Sequence, residues 1–255
     1  MNSRKVLQFH ILLFALFALL PLSAEETQIM IRARAVDAKF IGSGVGGLEV
    51  VLENAASGEI LDRGEITGGT GDTKTLMLTP TERGQQLSND ETAGYLSTIN
   101  IDTPVQLRIT LRGPLNVENS IQELSLTQWV VPGKDILGDG IVFNLPGLIV
   151  AAQADIATDT DMLKVQADVT LMCGCPLTDE GLWDARDYEV KALIPERKRK
   201  ASRRFKTVEH KLEFTGEKNK FAGEIPKPKA GQVSVIVYAY NRNTGNTGVD
   251  VVVLP

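Results

Sequence analysis

Histidine, cysteine and aromatic residues are scarce in this chain, and each scarcity narrows the range of functions. There are two histidines, and His10 falls in a leading apolar run. A serine or cysteine hydrolase needs an imidazole as general base, so His210 alone would have to serve. It lies in Val208-Glu209-His210-Lys211-Leu212-Glu213, a pattern that puts it on the exposed face of a strand. The two cysteines fall short of the four ligands of a structural zinc site. Aromatic residues make up only 5% of the chain, and acidic side chains outnumber basic ones by 32 to 27. That balance argues against a nucleic-acid partner. No second apolar run approaches the ~17–25 residues of a transmembrane helix, so no membrane span is expected after the first segment.

That first segment reads as an export signal. Arg4 and Lys5 precede an apolar stretch from Val6 to Leu22, and Leu22-Ser23-Ala24 offers a small residue before the acidic Glu25-Glu26. This is the tripartite pattern of a cleavable secretory peptide. A signal peptide over 1–24 implies a periplasmic or secreted protein and an oxidising compartment.

What the remainder has in quantity is glycine, valine, threonine and alternation, the marks of strands and turns. Strands are predicted at Met30–Phe40, Leu48–Glu53, Ile60–Ile66, Gly94–Ile101, Val105–Arg112, Leu124–Val131 and Ile141–Leu145. Pro146-Gly147 then marks a boundary. Beyond it, strands are predicted at Leu148–Ala152, Val165–Pro176, Tyr188–Ile194, Val208–Phe214, Phe221–Ile225, Gln232–Tyr240 and Val249–Leu254. The fold class is therefore all-β, with two consecutive β-sandwich domains over 25–147 and 148–255. A short helix is expected near Arg83–Leu87 in the polar stretch Pro80–Ala93, and Trp129 is expected to fill the core.

The stretch Val165–Pro176 carries the most chemistry. With period two, Val165, Ala167, Val169, Leu171, Cys173 and Cys175 share the buried face, Met172 points the other way, and Pro176 ends the strand. Three states of the cysteine pair fit. Two extended residues span ~6.6 Å, near the upper limit for a disulfide, and a kink at Gly174 would close that gap. Two buried thiols would pack as small hydrophobes. Thiolates at Cys173 and Cys175, with the Met172 thioether, would suit copper(I).

The remaining candidates are weaker. Gly42-Ser43-Gly44-Val45-Gly46-Gly47 matches a dinucleotide fingerprint, but that motif needs a helix after it, and a β-type segment follows. The acidic residues Asp155, Asp159 and Asp161 lack the ligand order of a calcium loop. Pairs such as Asp179/Glu180 and Asp184/Asp187 could flank a glycosidic bond, with nothing to select one pair over another. Arg197, Lys198, Arg199, Lys200, Arg203, Arg204 and Lys206 form a basic tip suited to docking an acidic partner.

Leu48–Thr67, an apolar strand followed by a Ser-Gly-Glu turn and a second strand, resembles the carboxypeptidase-regulatory and transthyretin-like β-sandwich modules. Val169-Thr170-Leu171-Met172-Cys173 with Trp183, and Tyr238-Ala239-Tyr240, resemble strands B and F of immunoglobulin-like domains. Ala239 stands where that family has its second bridging cysteine, so its inter-sheet disulfide does not transfer, whereas Trp183 transfers as a core residue. The segments Met172–Pro176, Gly181-Leu182-Trp183-Asp184 and Tyr240–Asp250 also resemble a group of uncharacterised exported bacterial proteins. The resemblances imply fold more than activity. The expected fold, the near absence of histidine and the lack of a nucleophile-base pattern point to a non-catalytic binding or structural module of the cell envelope, with no cofactor and with a protein or glycan of the envelope as partner. A periplasmic copper-binding or thiol-redox protein using the cysteine pair is the alternative, and a carbohydrate-active enzyme is a weaker one.

Overall fold

A computed structural model describes residues 24–157, 161–197, 205–228 and 233–254. The expected signal peptide up to residue 23, Asp159 and the basic residues Lys198, Arg199, Lys200, Arg203 and Arg204 lie outside them.

Seven strands come first: β1 (Glu25–Ala35), β2 (Leu48–Asn54), β3 (Ile60–Ile66), β4 (Tyr95–Ile101), β5 (Val105–Gly113), β6 (Gln122–Val130) and β7 (Ile136–Leu145). They form two sheets, in the orders β4-β1-β7 and β3-β2-β5-β6. The alternation seen in the sequence sets their inner faces. Ile29, Ile31, Ala33 and Ala35 of β1 are buried, as are Val50 and Leu52 of β2 and Leu107, Ile109 and Leu111 of β5. Burial of each large aliphatic side chain contributes about 1.5–3 kcal/mol. β1 and β7 run parallel, with a register break between Ile29 and Ile31; all other pairings among these strands are antiparallel.

β1 departs from simple alternation because its outer face is also covered, by the segment 67–94. Arg32 is buried there. Its guanidinium donates to the carbonyls of Thr92 and Ala93. Asp139 of β7 accepts from the backbone N–H groups of Leu87 and Ser88 at 2.9 and 2.8 Å. Burial lowers the pKa of Arg32, while the charge of Asp139 nearby opposes that shift. These bonds fasten a long irregular segment to the sheet. The segment holds no helix at Arg83–Leu87, against expectation. Its residues are committed to capping β1 and β7, and its one helical turn lies earlier, at Lys74–Leu78.

The second seven strands are β8 (Leu148–Ile156), β9 (Met162–Leu171), β10 (Tyr188–Arg197), β11 (Phe205–Phe214), β12 (Lys220–Pro226), β13 (Val233–Asn241) and β14 (Thr247–Leu254). They form a single sheet in the order β14-β13-β10-β11-β12-β9-β8. β11 and β12 pair through two residue pairs only, Glu213 with Ala222 and Phe214 with Phe221, so this seam is the thinnest in the sheet. The sheet rolls until its end strands meet. A Cβ at Gly248 of β14 would stand 2.3 Å from the carbonyl oxygen of Leu148 in β8, a closeness that only glycine permits. Across the same contact Asp250 accepts from the backbone N–H of Ala152 at 2.7 Å. The roll brings Leu163, Val165, Ala167, Val169 and Leu171 of β9 face to face with Val190, Ala192, Val235 and Val237, all buried.

Two expectations about single residues fail. Trp129 is 64% exposed: its own alternation along β6 places it with Glu123, Ser125 and Thr127 on the wet face, opposite the inward Leu124 and Leu126. His210 is half-buried, on the same side of β11 as the buried Leu212 and across from the buried Ala192, rather than on the outer face.

Candidate functional site

β9 ends at Leu171, five residues before the expected stop at Pro176. The chain reverses there. Gly174 N–H donates to the Leu171 carbonyl at 2.7 Å, and Leu171 N–H donates to the Cys175 carbonyl at 3.2 Å. Thr170 and Pro176 then form an antiparallel bridge. Gly174 takes a left-handed φ of 74°, which is the local kink that brings the cysteines together. Their Cα atoms are 5.3 Å apart and the sulfurs are bonded as a disulfide.

The reversal changes where Met172 goes. In a continuing strand it would face outward; here it is 1% exposed, with its sulfur packed near Gly147 in the link between β7 and β8. Cys173 and Cys175 are 3% and 4% exposed. A Cβ on Gly174 would lie 3.0 Å from Val45 Cγ1. Val45 belongs to the glycine-rich connector between β1 and β2, so the disulfide turn of the second seven strands is seated against the first seven. The connector leads directly into β2, with no helix of the kind a dinucleotide site requires.

The same junction takes in Trp183. It lies in the segment before β10 and is buried in the core, as expected. Its indole Nε1–H donates to the carbonyl of Asp37, in the turn after β1, at 2.9 Å. Asn246 donates to the adjacent carbonyl of Val36 at 3.2 Å and accepts from Gly147 N–H at 3.1 Å. Asn119, ahead of β6, donates to Asp250 at 2.6 Å. Tyr188 is buried nearby, and burial pushes its phenol up to about 12. Val45, Met172, Cys173, Cys175, Leu177 and Trp183 belong to one hydrophobic cluster that runs through both sets of strands.

No family model, curated protein or solved structure matches the chain. The chemistry of the junction therefore has to be judged from its own atoms. A sulfur held in a disulfide has no thiolate to offer a soft metal. Met172 is turned away into the link between β7 and β8. Among the described residues, no group of three or more His, Cys, Asp or Glu gathers in a metal-binding arrangement.

The other candidates are dispersed. Asp184 caps the short 3-10 turn Ala185–Asp187 and pairs with Arg186. The Arg186 hydrogen bonds draw the half-buried Asp184 carboxyl down to about 2. Asp179 and Glu180 are solvated companions of the same arginine. Asp155 stands at the end of β8, and Asp161 just before β9. The β10–β11 hairpin pairs Glu196 with Lys206 and Arg197 with Phe205, which brings the two ends of the basic stretch side by side. Sequence reasoning missed Arg32, Asp37, Asn246 and Asp250. Each looks like an ordinary polar residue of a strand or turn, and only the partner, far away in sequence, gives it a role.

Proposed function

We propose that this chain is an exported, non-catalytic module of the cell envelope, structural or binding in role, built of two β-sandwich units. The observation that carries this reading is the Cys173–Cys175 disulfide, screened from solvent at the junction of the two sets of strands. A chain that uses its only cysteines as a buried cross-link suits an oxidising compartment. The strand order of the second set adds support. Lettered in sequence from A to G, it reads A-B-E-D-C-F-G, which is the ABED and CFG sets of an immunoglobulin-like sandwich laid edge to edge.

Thiol alkylation followed by mass spectrometry tests the reading against the copper and thiol-exchange alternatives. Native protein treated with a mild dithiol is expected to take up no label, and unfolded, reduced protein is expected to take up two. Reduction of the native protein under the same dithiol, followed by stoichiometric copper(I) uptake that is lost in Cys173→Ser, would overturn the structural reading in favour of a thiol or metal site.

A further inference from the structure

The three sheets have six terminal strands, β4, β7, β3, β6, β8 and β14. Unpaired edges invite other chains to add strands, and folded proteins blunt them. Five of the six are blunted here. β8 and β14 lie against each other, joined through Asp250 and Ala152. β3 and β4 are clasped: Tyr95 of β4 packs over Gly64 of β3, and its hydroxyl donates to Asp62 and to the Arg63 carbonyl, both at 2.8 Å. β7 is bulged opposite β1, carries Gly138 and Gly140 with left-handed φ, and is held under the 87–88 segment by Asp139.

β6 has none of these devices. Its nine residues pair with β5 without a register shift, and among the described residues it pairs with no other strand. It contains no proline and no lysine, the residues that commonly guard an edge, and Glu123 is its only charge. Trp129, the most exposed aromatic side chain of the described chain, stands at its far end.

We propose that β6 is a self-association edge, and that β6 of a second copy adds to it antiparallel about a two-fold axis at Leu126. A row of unpaired backbone N–H and C=O groups is satisfied only by another extended backbone, and three features of β6 favour its own copy. The two-fold register sets Glu123 opposite Trp129 of the other copy, so the strand's one charge never meets itself. The indole N–H and the Glu123 carboxylate, neither bonded to another group among the described residues, face each other in that register. Ser125 then falls opposite Thr127 of the other copy, extending the hydroxyl contact it already receives from Thr110 at 3.2 Å. The two four-stranded sheets become one of eight strands, and Trp129 leaves solvent. This surface is separate from the cysteine junction, so the proposal stands or falls independently of the function proposed above.

The test is the mass of the purified protein by analytical ultracentrifugation between about 1 µM and about 1 mM, the range in which weak association shows. A reversible dimer is expected, together with reduced acrylamide quenching of Trp129 fluorescence as the dimer forms. S125K/T127K changes two exposed positions and sets lysine opposite lysine twice, so it should raise the dimer dissociation constant at least about tenfold. S125K/T127E places lysine opposite glutamate in the same register and should restore the wild-type constant or tighten it. Both variants should keep the wild-type circular dichroism and melting temperature. A wild-type protein that stays monomeric across the range overturns the proposal. So does a dimer that S125K/T127K leaves intact, or one that S125K/T127E weakens equally.

Discussion

The two sets of seven strands close their barrels of side chains by different means. The first keeps two sheets apart and joins them along one side with side chains: Tyr95 and Ser97 of β4 both donate to Asp62 of β3, and the β6 and β7 side stays open. The second uses main-chain pairing almost all the way round and needs a side chain, Asp250, only where β8 meets β14. A sheet closed by its own ladder has few free edges to protect, whereas a sheet closed by side chains leaves at least one. The difference assigns stability by continuity to the second set and an available edge to the first.

The sharpest way to break the comparison is to ask whether the two sets melt as one. Ile109 and Leu163 are both fully buried, one in each set. Ile109→Ala and Leu163→Ala should each cost about 2–5 kcal/mol. Because the hydrophobic cluster runs through both sets, each variant should lower one shared thermal transition in calorimetry. Two transitions, with each variant moving only its own, would show that the junction does not couple them.

A smaller effect separates the two closures. Asp62→Ala leaves the fully buried Ser97 hydroxyl without its acceptor. Asp250→Ala strands the donors Asn119 Nδ2 and Ala152 N–H. Each loss should cost about 1–3 kcal/mol in urea unfolding. Asp250→Ala should cost the more of the two, because it removes a contact between the sets as well as the β8–β14 link.

Strand positions were largely legible because alternation is a local signal. β2, β3, β4 and β5 all fall within a residue or so of the predicted segments. Trp129 is legible by phase rather than by chemistry: aromatic character predicts burial, but its phase along β6 points outward, and phase decides. Met172 failed for a different reason. Period two holds only while the strand lasts, and the glycine that made a Cys-Gly-Cys disulfide feasible is also the residue that ended the strand. Arg32 was illegible in principle, since a polar side chain on a strand looks solvent-facing until a distant loop is known to cover it. The pairing of β11 with β12, which merges two layers into one rolled sheet, depends on two residue pairs and leaves no periodic trace.

The smallest test is titrimetric. Burial, helped by the bond to Asp62, pushes the Tyr95 phenol up to about 12, and burial does the same for Tyr188. Both phenols are held protonated in the folded chain. The stability this contributes is complete below the unfolded tyrosine pKa of about 10 and is lost as pH rises through about 12. Absorbance at the tyrosinate band should therefore show the Tyr95 and Tyr188 phenols titrating late, with Tyr238 also shifted upward by burial, and thermal stability should fall over the same window. Tyr95→Phe should remove one late phenol while Tyr188 keeps its own, distinguishing the clasp of the first set from the junction.

The carbonyls that receive Trp183 and Asn246 belong to neighbouring residues of one turn, Val36 and Asp37. A carbonyl is common to every amino acid, so replacing the side chains of that turn leaves both acceptors in place, provided the left-handed φ of 56° at Asp37 is respected. The donors have no such freedom, since indole and amide N–H groups come with their residues. The seam between the two sets is thus lopsided in its tolerance of sequence change: one lip can drift, and the other has to stay as it is.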